Sequence, residues 1–353
     1  MSERKVVLVS KRFNPGHSAH LLASYKLFTE IGMKVVFDIN SSFYSFSKFY
    51  SPKDGFSFFQ LLRLNDSDIY FVWFPSVKAL LYSIFLKIFS GTRILYVFHE
   101  PIDDFSEFSD AGFGFVELVK MKLVNYISLG LCICSSKVLL PSKKAMDTFS
   151  RIGNVSKSYY FPLLFSDESC GLPDVSRDYF SYIGTIAPDH AFDKYIDFIL
   201  FVLGSDNDSK LKFLIATKSH IPQHLLAKLA PFLPSGRLTI YQGAPLSDNL
   251  INTLFSRSFL VWNAYCRSTQ SGVMAKSYMF GTPILINKLC QNEFFIDGLN
   301  GLALDIDYSN QDIFDSLNNI MENFDYISSH CRESYLEKFD YTSRLISIKN
   351  VLN

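Results

Sequence analysis

The 353-residue chain has no apolar run near the ~20 residues that a membrane-spanning helix needs. The best candidate, Ala79 to Phe89, is short and is broken by Lys87. The stretch from Met1 to Ser10 lacks the long apolar segment of a signal peptide and reads as a short first strand. Net charge is absent: 34 basic and 34 acidic side chains cancel. That balance argues against nucleic acid as a partner, because neutralising phosphates takes a basic excess. Cysteine patterning is absent as well. Cys132, Cys134, Cys170, Cys266, Cys290 and Cys331 are scattered, and Cys132 and Cys134 alternate in an apolar run, so they read as buried strand thiols rather than metal ligands. A reducing cytoplasm suits such a set. No short-period repeat, low-complexity tract, Gly-x-Gly-x-x-Gly fingerprint or strand-end Asp-x-Asp pair is found. A dinucleotide site, a metal and a resident cofactor are therefore not expected.

What is present is ample apolar material, 48% of residues against 19% charged, enough to offset the ordering entropy of a folded chain. The length suggests two domains. Strand-like runs occur at Val6–Ser10, Lys34–Ile39, Ile69–Phe74, Ile94–Phe98, Leu131–Ser135 and Val138–Leu140. Helical patterns separate them, such as His20–Ile31, which Gly32 stops, and Phe113–Leu129. A second series has strands at Tyr179–Ile183, Leu211–Ala216, Leu238–Gln242, Phe259–Trp262, Ile284–Ile286 and Gly301–Leu304. Its helices are expected at Asp193–Leu203, His224–Leu229, Ser247–Phe255, Gly272–Phe280 and Gln311–Phe324. Continuous apolar strands alternating with helices predict an α/β class with parallel, doubly covered sheets. The two series imply two Rossmann-like domains facing a central cleft. Phe165–Ser176 carries linker chemistry between them. The expected divisions are residues 1–165, residues 166–330, and closing helices at 331–353. Residues 1–165 hold 19 basic and 13 acidic side chains, an excess of six, mirrored by a deficit of six in the remainder. The first half is therefore expected to meet something anionic.

Open α/β sheets bind ligands beyond the carboxyl ends of their strands, so the loops there carry the chemistry. After the first strand, Asn14-Pro15-Gly16 is turn chemistry, followed by His17, Ser18 as a helix cap, and His20. After the fourth strand, His99-Glu100-Pro101 sets a polar pair where a cleft would be, and a histidine there can hold or exchange a proton near neutral pH. The richest segment runs from Trp262 to Pro283. A strand ends, a polar loop follows, and Ser271-Gly272 opens a helix that Gly281 closes. A helix N-terminus offers unpaired N–H groups and partial positive charge, which makes it a phosphate site that Gly272 lets an oxygen approach. Candidate cations around it are His190, Lys194, Lys218, Arg267 and Lys276. The apolar, lysine-bearing stretch Phe113–Tyr126, with Lys78, Lys87 and Arg93, fits either a core helix or an anionic membrane surface.

These segments resemble GT-B glycosyltransferases, and most of all the retaining group of bacterial polysaccharide and lipopolysaccharide enzymes (family 4 and its relatives). The resemblance runs over nearly the whole chain. Its most specific parts are Ser271–Pro283 and Asp297-Gly298-Leu299-Asn300-Gly301, with Tyr182–Thr185, His99–Pro101, Asn14–His20 and the tail from Arg332 as weaker ones. Where the group carries two glutamates separated by seven residues, this chain has Ser268 and Lys276. Thr185 and His190 stand where an arginine and a lysine are usual.

The resemblance implies transfer of a sugar from a nucleotide diphosphate sugar to a lipid-linked or polysaccharide acceptor, with retention of configuration. The catalytic set would be His99, Ser268 and Lys276. The donor would lie on Ser271, Gly272, Lys218, His190, Lys194, Gly184 and Thr185. The acceptor would lie on Gly16, His17 and Glu100. An anionic inner-membrane surface is the further expected partner, which makes the protein cytoplasmic and peripheral on that membrane. Loss of both glutamates also fits a non-catalytic subunit that binds sugar nucleotide or glycan, and another GT-B enzyme, an epimerase or inverting transferase, is the third reading.

Overall fold

The computed structural model describes residues 4–46, 56–170, 175–205, 210–243, 246–267 and 271–352. The chain divides into two compact units. One comprises residues up to Ser166 together with those from Phe339 onward, and the other comprises Asp167–Lys338.

In the first unit the order is β1 (Lys5–Ser10), α1 (His17–Glu30), β2 (Lys34–Ile39), α2 (Ser42–Phe46), α3 (Phe58–Leu61), β3 (Ile69–Val72), α4 (Val77–Phe89), β4 (Arg93–Val97), α5 (Ser106–Asp110), α6 (Phe115–Cys134), β5 (Lys137–Leu140), α7 (Lys143–Ile152) and β6 (Ser158–Tyr160). All pairings are parallel, in the order β2-β1-β3-β4-β5-β6. The inner strands are continuous apolar runs because both faces are covered: Val6 to Val9 and Ile69 to Val72 are all buried. Serines start two of these helices. Ser76 accepts from the Ala79 amide at 3.1 Å to open α4, and Ser142 accepts from Ala145 at 3.0 Å to open α7.

The second unit continues with β7 (Tyr179–Ile183), α8 (Phe192–Gly204), β8 (Lys212–Thr217), α9 (Gln223–Leu229), β9 (Leu238–Gln242), α10 (Asp248–Ser256), β10 (Ser258–Asn263), α11 (Gly272–Met279), β11 (Ile284–Asn287), β12 (Gly301–Leu304), α12 (Asn310–Glu322) and α13 (Phe324–Lys338). Its sheet is also parallel, ordered β12-β11-β10-β7-β8-β9. The last helix, α14 (Leu345–Leu352), belongs to the first unit. The expected α/β class with two Rossmann-like sheets is thus the observed one.

Three expectations are corrected. Residues 131–135 are not a strand: α6 continues to Cys134, and the Ser135 hydroxyl donates back to the Leu131 carbonyl at 2.7 Å. A five-residue apolar run cannot tell a strand from a buried helix turn. The helical reading wins because Ser128, Leu131 and Cys132 are buried while Ile133 is 69% exposed, a one-sided pattern that a doubly covered strand would not tolerate. Residues 331–338 are not part of the returning tail. They are the second half of α13, and the chain re-enters the first unit at Phe339. There Phe165 donates to the Phe339 carbonyl at 2.9 Å and Tyr341 donates to the Phe165 carbonyl at 3.0 Å, so the outgoing and returning segments pair side by side. Ser18 does not cap α1. Gly16 is the capping residue, and Ser18 is buried inside the first turn.

Gly301 opens β12 opposite Ile284, and a Cβ built on it would lie 2.3 Å from the Ile284 carbonyl oxygen. Because that oxygen belongs to a central strand, it cannot give way. Gly301→Ala should destabilise the second unit by about 3 kcal/mol or more. Urea unfolding of the purified variant measures this, and a wild-type midpoint would contradict the packing described.

Candidate functional site

Strand order decides where polar groups converge. In the first unit the chain leaves β1, adds β2 on one side, then returns to add β3 on the other. The loops after β1 and β3 therefore diverge at a switch point, where open α/β sheets leave a crevice. The post-β1 loop ends in His17 and the post-β3 segment is Trp73-Phe74. The two meet: the His17 and Phe74 rings stack with centroids 3.2 Å apart and planes 7° from parallel. His99, just past β4, also lies parallel to Phe74, at 4.6 Å and 10°. His20, one turn into α1, completes the cluster at 6.0 Å from His99. Its Nδ1–H donates to the Leu164 carbonyl at 2.9 Å. The Trp73 indole N–H donates to Ser24 at 2.8 Å, which locks the aromatic platform onto α1.

Burial among these rings disfavours the imidazolium form. It pushes His17 down to about 2 and His99 down to about 3, with neighbouring histidines adding smaller repulsion. Both are neutral at physiological pH, so they exchange hydrogen bonds rather than attract anions. The His17 Nδ1 atom is buried with no hydrogen-bond partner among the described residues. Gly16 and Glu100 lie exposed at the edges of this cluster. Below it, Lys11 at the end of β1 pairs with Asp38 on β2, which also accepts from the Tyr70 hydroxyl at 3.2 Å.

The second unit repeats the logic. After β7 the chain adds β8 and β9 on one side, then returns to place β10 on the other. The loops after β7 and β10 carry Gly184–His190 in one case and, among the described residues, Tyr265, Cys266, Arg267 and Ser271 in the other. A Cβ on Gly184 would stand 3.7 Å from both the Tyr265 hydroxyl and Val273 in the first turn of α11, so the two loops and the helix start are neighbours. The His190 ring stacks on Tyr265 at 4.1 Å, its Nδ1–H donates to the Thr185 carbonyl at 2.5 Å, and the Tyr182 hydroxyl reaches the same carbonyl at 2.7 Å. The Asp189 carbonyl accepts from Cys266 at 2.8 Å, tying one loop to the other. Ala191, which ends this loop, is left-handed at φ 49° while buried, a strained turn held by its surroundings.

Ser271 caps α11: its hydroxyl donates to Asn263 at 2.9 Å and accepts from the Met274 amide at 3.4 Å. Gly272 beside it is exposed. The Ser271 side chain is thus committed within the protein, which leaves the backbone at Gly272 as the approachable part of this helix end. Lys194 and Lys218 are exposed, in the first turn of α8 and just past β8. Burial raises the Cys266 thiol, neighbouring Asp189 and Asp193 add to that, and Lys194 opposes it, which places the Lys194 charge near the loop into α11. Ser268 lies outside the described residues.

Lys276 does not face this crevice as a donor cation. It sits on the buried side of α11 with its amine 2.8 Å from Glu168, a carboxylate that also accepts from Asn252 at 2.8 Å. Five residues past Ser271 the helix has turned it toward α10 and the start of the second unit. Lys276, expected among the catalytic residues, thus forms a partly buried ion pair with Glu168.

Sequence reasoning did not single out Trp73 and Phe74, which join the cluster of His17 and His99. The available signal was an aromatic pair directly before Pro75, at the end of the third strand. Among the described residues no group of three or more His, Cys, Asp or Glu side chains is arranged to hold a metal ion.

No family model matches the sequence, and no curated protein is similar to it. Solved structures are similar in fold. HepE of Anabaena, crystallised in complex with UDP-glucose, matches at a TM-score of 0.71 and 12% identity over 99% of both chains. Sucrose-phosphate synthase of Thermosynechococcus elongatus matches at 0.73 and 9% over 99% of this chain and 98% of its own. A glycosyltransferase of Rickettsia africae matches at 0.69 and 9% over 100% and 98%. The chain therefore has the GT-B glycosyltransferase fold.

Histidines with depressed pKa values cost stability as pH falls. The unfolded chain takes up protons near the ordinary value of 6.5, while the folded chain resists until far lower. The first unit should lose about 2 kcal/mol per buried histidine between pH 7 and pH 5, on the order of 4 kcal/mol for the two, with a falling Tm. Replacing both rings, as in His17→Gln with His99→Gln, should flatten that slope. A wild-type Tm independent of pH across this range would contradict the burial of the two rings.

Proposed function

We infer that this chain is a glycosyltransferase that moves a sugar from a nucleotide diphosphate sugar to a bacterial surface glycan, lipid-linked or polysaccharide, with retention of configuration. The observation that carries the reading is the presence of two switch-point crevices of opposite chemistry, one in each unit. One ends at an exposed helix start. The other is lined by neutral histidines on an aromatic platform. HepE, which shares the fold, is crystallised with UDP and with UDP-glucose, which supports a nucleotide diphosphate sugar as donor.

In this reading the diphosphate rests on the backbone amides at Gly272, where the helix partial charge favours anions, with Lys194 and Lys218 adding charge from neighbouring loops. Gly184 and Thr185 shape the floor, and His190 braces it through Tyr265. Departure of the nucleotide diphosphate builds negative charge on its terminal phosphate. Preorganised N–H donors stabilise that charge without reorganising. The acceptor lies in the first unit over Gly16, His17, His99 and Glu100. A sugar ring suits the stacked aromatic platform, and a neutral His17 or His99 exchanges a hydrogen bond with its hydroxyl. With its pKa pushed down to about 3, His99 orients that hydroxyl and stores no proton at neutral pH.

Gly272→Asp places a carboxylate at the proposed phosphate position. It should weaken UDP binding by about 3 kcal/mol, roughly a hundredfold in Kd, by calorimetry. Unchanged binding in a folded variant would refute the site. The engagement of Lys276 by Glu168 favours one second reading, a non-catalytic subunit that binds sugar nucleotide without transfer. Turnover assays across donor and acceptor panels separate the two, and product anomeric configuration by NMR tests retention.

A further inference from the structure

The first unit carries an apolar surface that its own core does not use. The helix α4 buries Ala79, Ser83 and Leu86. On its opposite side Val77, Leu81, Ile84 and Ile88 are all exposed, Ile88 to 65%. Their spacings of four, three and four residues are those of a core-facing stripe, yet at about 100° per residue this stripe points away from the buried one. The neighbouring α6 packs on α4, with Leu80 against Gly130. It continues the surface with Phe115, Val119, Leu123 and Tyr126, Phe115 being 80% exposed. Protein surfaces in water rarely present so large a contiguous apolar area without a partner.

The charges on these helices say which partner. Lys78 and Lys87 fall on either side of the α4 stripe, and Lys120 and Lys122 interleave the α6 residues, all four exposed. The helix α4 has no acidic residue, and the single one on α6, Glu117, is spent accepting from the Gly114 amide at 3.0 Å. A second copy of the chain fits poorly, because a two-fold contact sets the same patch against itself and would bring lysines together. Lysines bordering exposed apolar side chains match a bilayer, where the stems lie along the acyl boundary and the ammonium groups reach anionic headgroups.

We propose that the outer faces of α4 and α6 form a docking surface for an anionic lipid bilayer, against which the first unit lies without crossing. No described helix is long and apolar enough to span it. The proposal goes beyond the transferase reading and does not depend on it.

The test is flotation of the full-length protein with phosphatidylglycerol–phosphatidylcholine vesicles, compared with phosphatidylcholine alone. Wild type should float with the anionic vesicles, stay behind with the neutral ones, and be released by high salt. Leu81→Glu combined with Ile88→Glu, and separately Lys120→Glu combined with Lys122→Glu, should each weaken binding about tenfold or more while leaving UDP binding unchanged. Ile88→Trp guards against folding artefacts: the emission of the introduced indole should shift to the blue and be quenched by brominated acyl chains on anionic vesicles. Wild type that stays at the bottom with anionic lipid overturns the proposal. So does charge-reversed protein that floats undiminished, an Ile88→Trp variant whose emission lipid does not move, or a concentration-dependent dimer abolished by the α4 variant. Wild type that floats with anionic vesicles but does not bind UDP would instead count against the transferase reading alone.

Discussion

Both halves of this molecule obey one constraint: a strand hydrogen-bonded on both sides and covered on both faces has no room for chemistry along its length. β1 and β7 are such strands, each flanked by parallel neighbours and each lined by buried side chains. Polar function is therefore expelled to the carboxyl ends. It concentrates where successive connections leave the central strand in opposite directions. The His17–Phe74 stack in one unit and the Gly184–Tyr265–Val273 contact in the other are the same topological event with different side chains.

The two crevices differ in how their residues are held. In the first unit the histidines are fixed by rings: Trp73 is anchored to Ser24, Phe74 stands parallel to two imidazoles, and desolvation keeps those imidazoles neutral. Such a surface suits hydroxyl-rich, uncharged ligands. In the second unit the loops are fixed by hydrogen bonds to backbone carbonyls, from the His190 ring to Thr185 and from the Cys266 amide to Asp189, and the helix start at Gly272 stays exposed. The Lys276–Glu168 pair, held by Asn252, lies on the buried side of α11 and ties the helix to the start of the second unit.

Helical periodicity carries a further ambiguity that the fold resolves. α4 is apolar nearly all round, which on sequence grounds marks a buried helix. The protein buries one side of it and presents the other to solvent, beside an α6 whose N-terminal half is likewise uncovered. The same composition thus serves the core and an outer surface.

Local physics wrote much of this structure into the chain. The continuous apolar run Val6–Val9 is a doubly covered strand as expected, Ser271 announces a helix start, and the turn at Asn14-Pro15-Gly16 follows the first strand. Those features depend on contacts within a few residues, so they are legible in order. What the sequence could not decide depends on distant partners. Leu131–Cys134 is helix rather than strand because of what covers it. Lys276 meets Glu168, 108 residues away. Phe74 matters only because strand order sets it against His17 and His99. Side-chain identity and short spacing were settled by the chain itself. Which residues face each other was left to tertiary packing, since burial, and with it pKa and partner, is a property of the assembled neighbourhood.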